Sequence, residues 1–429
     1  MKTAPAALLI GVILCGVVAA QSRSAADLLI DKFFAAETPA DAQVIGDAIA
    51  GSMPFDEAYA RLKDGRTYLD ENRGEYSLRW KSKSGPYFNN VVDVPADYDA
   101  SQKWMLRVQL HGGIGRPSPN IQQPGRQPGA ANNRIAGEKQ FYLQPSGWNA
   151  AQWWDDEQID NILRSVDTLK RKYNIDESKI YLTGISDGGT GTYYMALEEP
   201  NLWASYLPLN GSLGVLRNPD TGAGSEMHGN NLINAPLYIV NGENDPLYPV
   251  AQVEPQMAWL KKMGVTLVFR PQPGAEHNTA WWPTERGPYE QFVHDHPRAP
   301  HPAALSWETE RVDRFNRNRW LVINELRADA SRATELTDPG FFRHTRRSGR
   351  VDIRRNGNTF DAVARDVAAF TLLLSPDAID FSKPVVVTVN GKQAFSAAVT
   401  KNPATLMRWA ASDNDRTALY AAELKITVP

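Results

Sequence analysis

A serine between two glycines is the first place in this sequence where residue types and spacing suggest chemistry. Residues 184–188 have the form Gly-x-Ser-x-Gly around Ser186. In such a turn the serine hydroxyl is held at a sharp corner between a strand and a helix. The apolar run 179–182 predicts the strand, and residues 190–199 predict the helix. Because the N-terminus of the helix points at the serine, its free N–H groups can stabilise a developing anion. The motif predicts a nucleophilic serine.

Later in the chain, two residues, Asp245 and His277, could activate Ser186. A neutral hydroxyl needs a base, and the base needs an orienting carboxylate. Asp245 lies in a polar turn after the apolar run 237–240, and His277 lies on a loop after the strand predicted over 265–270. Glu243, in the same turn as Asp245, is the alternative orienting residue. The order serine, aspartate, histidine differs from the orders of the two common serine-protease groups.

Strands alternate with helices through the part of the chain that must position these residues. Helices are predicted over 153–172, 190–199 and 256–263, and strands over 76–80, 91–95, 104–110, 141–144, 203–209, 236–240 and 265–270. We interpret 91–95 as an edge-like strand because Pro95 ends it. This alternation favours a mostly parallel sheet covered by helices on both faces, with ligands bound at the carboxyl ends of the strands.

A glycine-rich turn follows the strand 104–110 and begins with His111-Gly112-Gly113. A turn at this place can supply a backbone N–H to an oxyanion. We interpret His111 as a brace for the turn rather than as a second base. A loop rich in Pro, Gly and Asn continues to about Glu138, and long loops of this kind often border sites.

Four motifs in order resemble the α/β-hydrolase superfamily, in particular secreted carboxylesterases related to dienelactone hydrolases, feruloyl esterases and polyhydroxybutyrate depolymerases. The resemblance covers residues from about 75 to 298 and says little about the rest of the chain. The motifs are Leu110–Gly113, Gly184–Gly189, Asn241–Pro249 and Gly274–His277.

The resemblance implies a role for each candidate residue. Ser186 would be the nucleophile, His277 the general base and Asp245 its orienting residue. The backbone N–H groups of Gly113 and Asp187 would form the oxyanion hole. Independently of the resemblance, we interpret the Asp187 carboxylate beside the nucleophile as solvated or ion-paired, with a role in substrate choice as the alternative hypothesis. The implied fold is the α/β-hydrolase fold, and the implied chemistry uses no metal and no organic cofactor.

Composition and the first residues bear on location and partners. Residues 1–20 predict a signal peptide, with a positive start at Lys2, an apolar run and small residues before Gln21. We therefore expect a secreted or periplasmic protein without a membrane span. Cys15, the single cysteine, lies in this segment, so we expect no disulfide and no cysteine-based metal site. The formal net charge of −3 argues against a nucleic-acid partner.

The flanking segments carry no chemical motif. We expect helices over 21–74, a catalytic domain over 75–300, and a C-terminal extension over 301–429 with a small antiparallel β module. Within that module Asn390-Gly391 predicts a hairpin turn. The stretch 307–326 fits either strands or a strand and a helix. His294-Asp295-His296 could suggest a metal pair, but a solvated helix end is the preferred interpretation.

Three functions are compatible with these observations. The leading hypothesis is an exported serine ester hydrolase acting on a small-molecule or polymer ester through an acyl-enzyme. A serine peptidase of the prolyl-oligopeptidase type is the alternative closest in chemistry. A non-catalytic binding protein on a hydrolase scaffold is the third.

Several aromatic residues near the motifs could line a pocket or belong to the core: Trp148, Trp153, Trp154, Trp281 and Trp282. The sequence does not indicate the oligomeric state.

Overall fold

A computed structural model describes residues 24–68, 73–117, 138–218, 222–330, 341–342 and 345–429. The predicted signal peptide and most of the loop leading to Glu138 lie outside the described residues. Within these ranges no helix combines the length and the apolar character needed to cross a membrane.

The central part of the chain forms an eight-stranded sheet. Its strands are β1 (Gly74–Lys81), β2 (Tyr87–Val94), β3 (Trp104–Leu110), β4 (Gln140–Gln144), β5 (Ile175–Ile185), β6 (Tyr206–Leu209), β7 (Leu237–Gly242) and β8 (Leu267–Gln272). The strand order is β1-β2-β4-β3-β5-β6-β7-β8. β2 pairs antiparallel with β1 and β4, and the remaining pairs are parallel. β2 is therefore an interior strand, and the interpretation of residues 91–95 as an edge was wrong because Pro95 lies beyond the paired residues.

Helices cover both faces of this sheet. They are α4 (Asp156–Lys172), α5 (Asp187–Glu198), α6 (Leu213–Leu216), α7 (Val250–Lys262) and α8 (Trp282–Asp295), with a 3₁₀ helix at Gly229–Asn234. Side chains alternate across β3: Leu106 and Val108 share a core with α4, α5 and α7, whereas Met105 shares a second core with α8. The arrangement confirms the predicted α/β-hydrolase fold.

Three helices precede the sheet: α1 (Ala25–Ala35), α2 (Pro39–Ser52) and α3 (Phe55–Asp64). The Thr38 side chain accepts a hydrogen bond from the Asp41 N–H at the start of α2. The apolar faces of these helices bury residues together with α9 (Pro403–Asp413), near the end of the chain. The N-terminal segment is thus joined to the C-terminal region.

Two sheets with a shared apolar core form the C-terminal region. Their strands are β9 (Ala304–Thr309), β10 (Arg317–Asn318), β11 (Leu321–Leu326), β12 (Gly349–Asn356), β13 (Thr359–Arg365), β14 (Val367–Leu374), β15 (Val385–Val389), β16 (Lys392–Ala397) and β17 (Ala422–Thr427). The orders are β10-β11-β14-β17 and β16-β15-β13-β12-β9. Asn390-Gly391 forms the predicted hairpin turn between β15 and β16. The undecided stretch 307–326 falls on β9, β10 and β11.

Buried ion pairs hold this region against the hydrolase sheet. Arg416 donates to the carboxylate of Glu177 on β5 at 3.0 Å and to the Ile175 carbonyl at 2.7 Å. Both side chains of the Arg416–Glu177 pair are only 4% exposed. A second buried pair joins Arg298 to Asp415. Because these charges are paired and out of water, losing one partner would leave the other uncompensated in the interior.

Candidate active site

The turn between β5 and α5 is a strained corner. Ser186 has φ 57° and ψ −120°, a backbone conformation that an L-residue seldom adopts. A Cβ on Gly184 would overlap the Gly188 backbone, and one on Gly188 would overlap the Leu110 carbonyl. The glycines allow β3, β5 and α5 to approach closely enough to turn Ser186 out of the sheet.

Ser186, His277 and Asp245 lie together at the carboxyl ends of three strands. His277 Nε2 is 2.9 Å from Ser186 Oγ, and His277 Nδ1 is 2.6 Å from Asp245 Oδ2. The Asp245 side chain is fully buried, whereas the His277 side chain is 24% exposed. The imidazole therefore bridges a hydroxyl near the surface and a carboxylate shielded from water, which is the geometry of a serine nucleophile, a base and an orienting group.

The two acidic candidates in the turn after β7 make different contacts. Asp245 Oδ1 accepts hydrogen bonds from the N–H groups of Leu247 and Tyr248, at 2.8 and 3.0 Å, which leaves Oδ2 for His277. Glu243 instead accepts from the Gly274 N–H at 2.7 Å. Of the two, the structure places Asp245 against the imidazole, while Glu243 fastens the loop that carries His277.

Asn210, directly after β6, organises the same loop, and it was not identified from the sequence. Its amide donates to the Asn278 carbonyl at 2.9 Å, and its oxygen accepts from the Gly242 N–H at 3.2 Å. The residue is fully buried and has φ 46°. An asparagine just after a buried strand and before Gly211 is a weak signal for such a left-handed position.

The turn after β3 passes directly beside the nucleophile. A Cβ on Gly112 would lie 2.9 Å from Ser186 Cβ. Gly113, the predicted oxyanion donor, has φ 72°, and the other predicted donor, the Asp187 N–H, opens α5 next to Ser186. The structure thus brings both predicted donors to the same end of the sheet as Ser186.

His111 braces this turn, as the sequence predicts. The Gly147 N–H donates to His111 Nε2 at 3.0 Å, so the proton must lie on Nδ1, which donates to the Gly112 carbonyl at 2.8 Å. The Trp153 indole donates to the His111 carbonyl at 2.9 Å. Burial lowers the pKa of the His111 imidazole, which favours this neutral form.

Tyr248 packs against the imidazole of His277. Its ring meets the His277 ring edge to face, with centroids 5.7 Å apart. Burial raises the pKa of the Tyr248 hydroxyl, and the negative charges of Asp187 and Asp245 raise it further. The tyrosine is therefore a neutral neighbour of the three aligned residues.

The remaining aromatic and histidine candidates make structural contacts. Trp148, Trp153 and Trp154 are buried in the protein core. His294 contacts Glu138, and His296 stacks on Phe292. Within the described ranges, no group of three histidine, cysteine, aspartate or glutamate side chains is placed to hold a metal ion.

A cavity of about 600 Å³ lies away from this site, between α4 and the C-terminal region. Arg298, Arg317 and Asp413 are among its lining residues, and Ser186 is not. Arg317 is paired with Asp413, and Arg298 with Asp415. The cavity therefore belongs to the junction between the two parts of the molecule.

Comparison with known proteins gives one family match and two relatives. Residues 138–294 match the dienelactone hydrolase family. A bifunctional acetylxylan esterase/xylanase of Neocallimastix patriciarum is 26% identical over 167 residues, 38% of this chain and 22% of that protein. A protein named probable feruloyl esterase C, of Aspergillus terreus, is 25% identical over 164 residues, 37% of this chain and 56% of that protein. The chain thus spans about a fifth and just over half of these two relatives.

Among solved structures, a thermostable esterase is similar with 21% identity and a TM-score of 0.41, covering 52% of this chain and 63% of that one. The strand order and the family match concern the same region, since residues 138–294 begin just before β4 and end within α8. The segment that matches the dienelactone hydrolase family therefore lies within the domain that has the α/β-hydrolase fold.

Proposed function

We propose that this protein is a serine carboxylic-ester hydrolase that works through an acyl-enzyme. The observation that carries the proposal is the alignment of Ser186, His277 and Asp245, with contacts of 2.9 Å and 2.6 Å on the two sides of the imidazole. One relative is named as a bifunctional acetylxylan esterase/xylanase and the other as a probable feruloyl esterase, which supports an ester as the substrate.

The geometry supports a two-step reaction. Ser186 Oγ attacks the ester carbonyl while His277 Nε2 takes the hydroxyl proton, and the N–H groups of Gly113 and Asp187 bind the resulting oxyanion. The C–O bond to the alcohol then breaks, and the departing alkoxide takes the proton from His277. A water molecule, deprotonated by His277, attacks the acyl-enzyme; the acid leaves and Ser186 regains its proton. This chemistry requires no metal and no organic cofactor.

An ester is favoured over a peptide by the demands on the leaving group. An alkoxide departs more readily than an amine, whose loss depends on well-timed protonation by His277. The substrate could be a small ester or an ester group on a polymer. The peptidase alternative predicts the reverse preference, and a binding protein predicts no turnover at all.

The proposal includes export from the cell. The positive start, apolar run and small residues of segment 1–20 support cleavage before Gln21. Mass spectrometry of the protein recovered from the culture medium or periplasm should therefore find Gln21 as the first residue. Recovery of the full-length chain from the cytoplasm would contradict this part of the proposal.

The test of the activity is a substrate panel on the purified protein. Values of kcat/KM are compared for short-acyl, long-acyl and feruloyl esters and for the amide matched to each ester. Ser186→Ala should lower kcat for the best ester by about 10⁶-fold. Ser396→Ala is the matched control, because Ser396 is exposed on β16 in the C-terminal region, and it should keep full activity.

Three results would overturn the proposal. Faster cleavage of an amide than of every ester would favour a peptidase. Unchanged activity in Ser186→Ala would remove the proposed nucleophile. No turnover of any ester or amide by the wild-type protein would favour a binding role.

A further inference from the structure

The side chain of Asp187 makes a contact that the proposed reaction does not yet use. Asp187 opens α5 directly after Ser186, and its Oδ2 accepts the Ile114 N–H at 2.9 Å. The bond joins two segments that are 73 residues apart in the chain. The carboxylate is thus engaged with the turn after β3 and is neither a simple solvated charge nor an ion pair with a described lysine or arginine.

Ile114 directly follows Gly113, whose N–H is a predicted oxyanion donor. Gly113 lies between two peptide groups, and each of them is held by one side chain. On one side, His111 Nδ1 donates to the Gly112 carbonyl at 2.8 Å. On the other side, Asp187 accepts from the Ile114 N–H. Because a trans peptide is planar, fixing the Gly112 carbonyl also fixes the opposite direction of the Gly113 N–H.

Both anchors are needed because of the conformation at Gly113. Its φ of 72° is a left-handed conformation, and glycine adopts it as readily as the alternatives. A Cβ at this position would have open space around it, so packing does not restrain the residue. The hydrogen bonds at the two neighbouring peptides therefore restrict its backbone, together with the burial of the Ile114 side chain in the core.

We propose that the Asp187 carboxylate is a positioning group for the oxyanion hole. Its backbone N–H is one oxyanion donor, and its side chain holds the turn that supplies the other, so that the two donors converge beside Ser186 Oγ. The inference rests on the proposed function, since it assigns a role within the same reaction.

The negative charge of Asp187 acts against this role, because a carboxylate close to an oxyanion repels it. Any stabilisation of the oxyanion by the Asp187 side chain must therefore come from its hydrogen bond to Ile114. The two effects can be separated. Asp187→Asn keeps an oxygen that can accept the Ile114 N–H and removes the charge, whereas Asp187→Ala removes both. Neither substitution changes the backbone N–H at this position.

The first measurement is the kcat and KM of these variants on the best ester of the panel. Loss of an oxyanion donor typically costs about 10²–10³ in kcat, and a donor that is misplaced should cost less. We expect Asp187→Ala to lower kcat by about 10- to 100-fold with little change in KM, and Asp187→Asn to stay within about threefold of the wild type. Asp380→Ala, which removes a carboxylate bound to the Ser382 N–H in the C-terminal region, should have no effect on either parameter.

The second measurement isolates the oxyanion hole from general structure. A trifluoromethyl ketone with the acyl chain of the substrate adds to the serine and places an oxyanion in the hole. Its inhibition constant should rise in Asp187→Ala by about the factor by which kcat falls, as expected for a transition-state analogue. If Asp187→Ala does not fold, as judged by thermal melting, Asp187→Ser serves in its place, because its shorter side chain cannot reach Ile114.

The proposal is overturned if Asp187→Ala and Asp187→Asn are equally slow, since the charge would then matter rather than the hydrogen bond. It is also overturned if Asp187→Ala keeps wild-type kcat, or if its inhibition constant does not change while kcat falls. These failures are distinct from failure of the proposed function, which shows in the wild-type protein and in Ser186→Ala.

Discussion

The two acidic residues after β7 have separate tasks at the scale of single side chains. Asp245 is buried and uses its oxygens for His277 and two backbone N–H groups, whereas Glu243 is exposed and holds Gly274. The sequence alone leaves the choice between them open, because both lie in one turn. The choice depends on which carboxylate turns inward, and that is decided by the backbone bonds at Leu247 and Tyr248.

Exchanging each carboxylate for its amide should separate these tasks. Asp245→Asn should lower kcat by about 10⁴-fold, because the amide lets the imidazole take the wrong tautomer. Glu243→Gln keeps an acceptor for the Gly274 N–H and should stay within about threefold of the wild type. The measurement is steady-state hydrolysis of one ester by both variants. A severe loss in Glu243→Gln with a mild one in Asp245→Asn would reverse the assignment.

Some residues of the site could be predicted and others could not, for a physical reason. Ser186, Asp245 and His277 are each marked by a local motif at the end of a strand. The roles of Asn210 and of the Asp187 carboxylate come from hydrogen bonds to segments that are 68 and 73 residues away. Such contacts depend on how the ends of different strands are arranged in space, and a local sequence pattern does not predict that arrangement.

At the scale of elements, the close approach of β3, β5 and α5 makes the corner at Ser186. Gly188→Ala should disrupt this approach, because the new Cβ would overlap the Leu110 carbonyl, which belongs to the sheet backbone. We expect the free energy of unfolding to fall by about 1–3 kcal/mol or more, and esterase activity to be lost.

Gly51→Ala is the control for this prediction. Gly51 lies in α2, and a Cβ there would meet nothing within 4 Å. Alanine should be neutral or stabilise the protein by about 0.5–1 kcal/mol, since it is the better helix former. Urea unfolding and ester hydrolysis are measured for both variants. Equal stability of Gly188→Ala and the wild type would show that the corner does not require the glycine.

Helices and strands could be predicted where the apolar residues repeat with a regular local spacing. The apolar stripe of α4 and the alternation of helices and strands around the site indicate the hydrolase sheet directly. The stretch 307–326 stayed undecided because two of its three short strands pair with partners far along the chain, β9 with β12 and β11 with β14. Pairing of this kind is set by tertiary contacts rather than by intrinsic preference.

At the scale of the whole molecule, the N-terminal helices pack against the C-terminal region, and the C-terminal region is ion-paired to the hydrolase sheet. Helices α1, α2 and α3 bury their apolar faces with α9, and Arg416, just after α9, reaches Glu177 on β5. A C-terminal region that is joined in this way should contribute to the stability of the catalytic domain. The sequence could not predict the connection, since nothing in segment 21–74 indicates a partner near residue 410.

Removing one partner of the buried pair should test this connection. Arg416→Met leaves the Glu177 carboxylate buried without its cation and should cost about 3–5 kcal/mol in the free energy of unfolding. The double variant Arg416→Met/Glu177→Gln should recover most of that loss. Arg408→Met, which removes an exposed partner of Glu423, should cost less than about 1 kcal/mol.

Urea unfolding of the four proteins measures the effect, with esterase activity followed along the same titration. Activity lost at the urea concentration where the sheet unfolds would show that the junction and the site depend on each other. An Arg416→Met variant as stable as Arg408→Met would contradict a structural role for the pair.

The most direct test of the central claim is to identify the residue that becomes covalently modified. The purified protein is treated with a fluorophosphonate probe, digested, and analysed by peptide mass spectrometry. The account predicts one modified residue, Ser186, and no labelling of Ser186→Ala or of wild-type protein unfolded in urea. Label on another residue of the folded protein, or persistent labelling of Ser186→Ala, would contradict it.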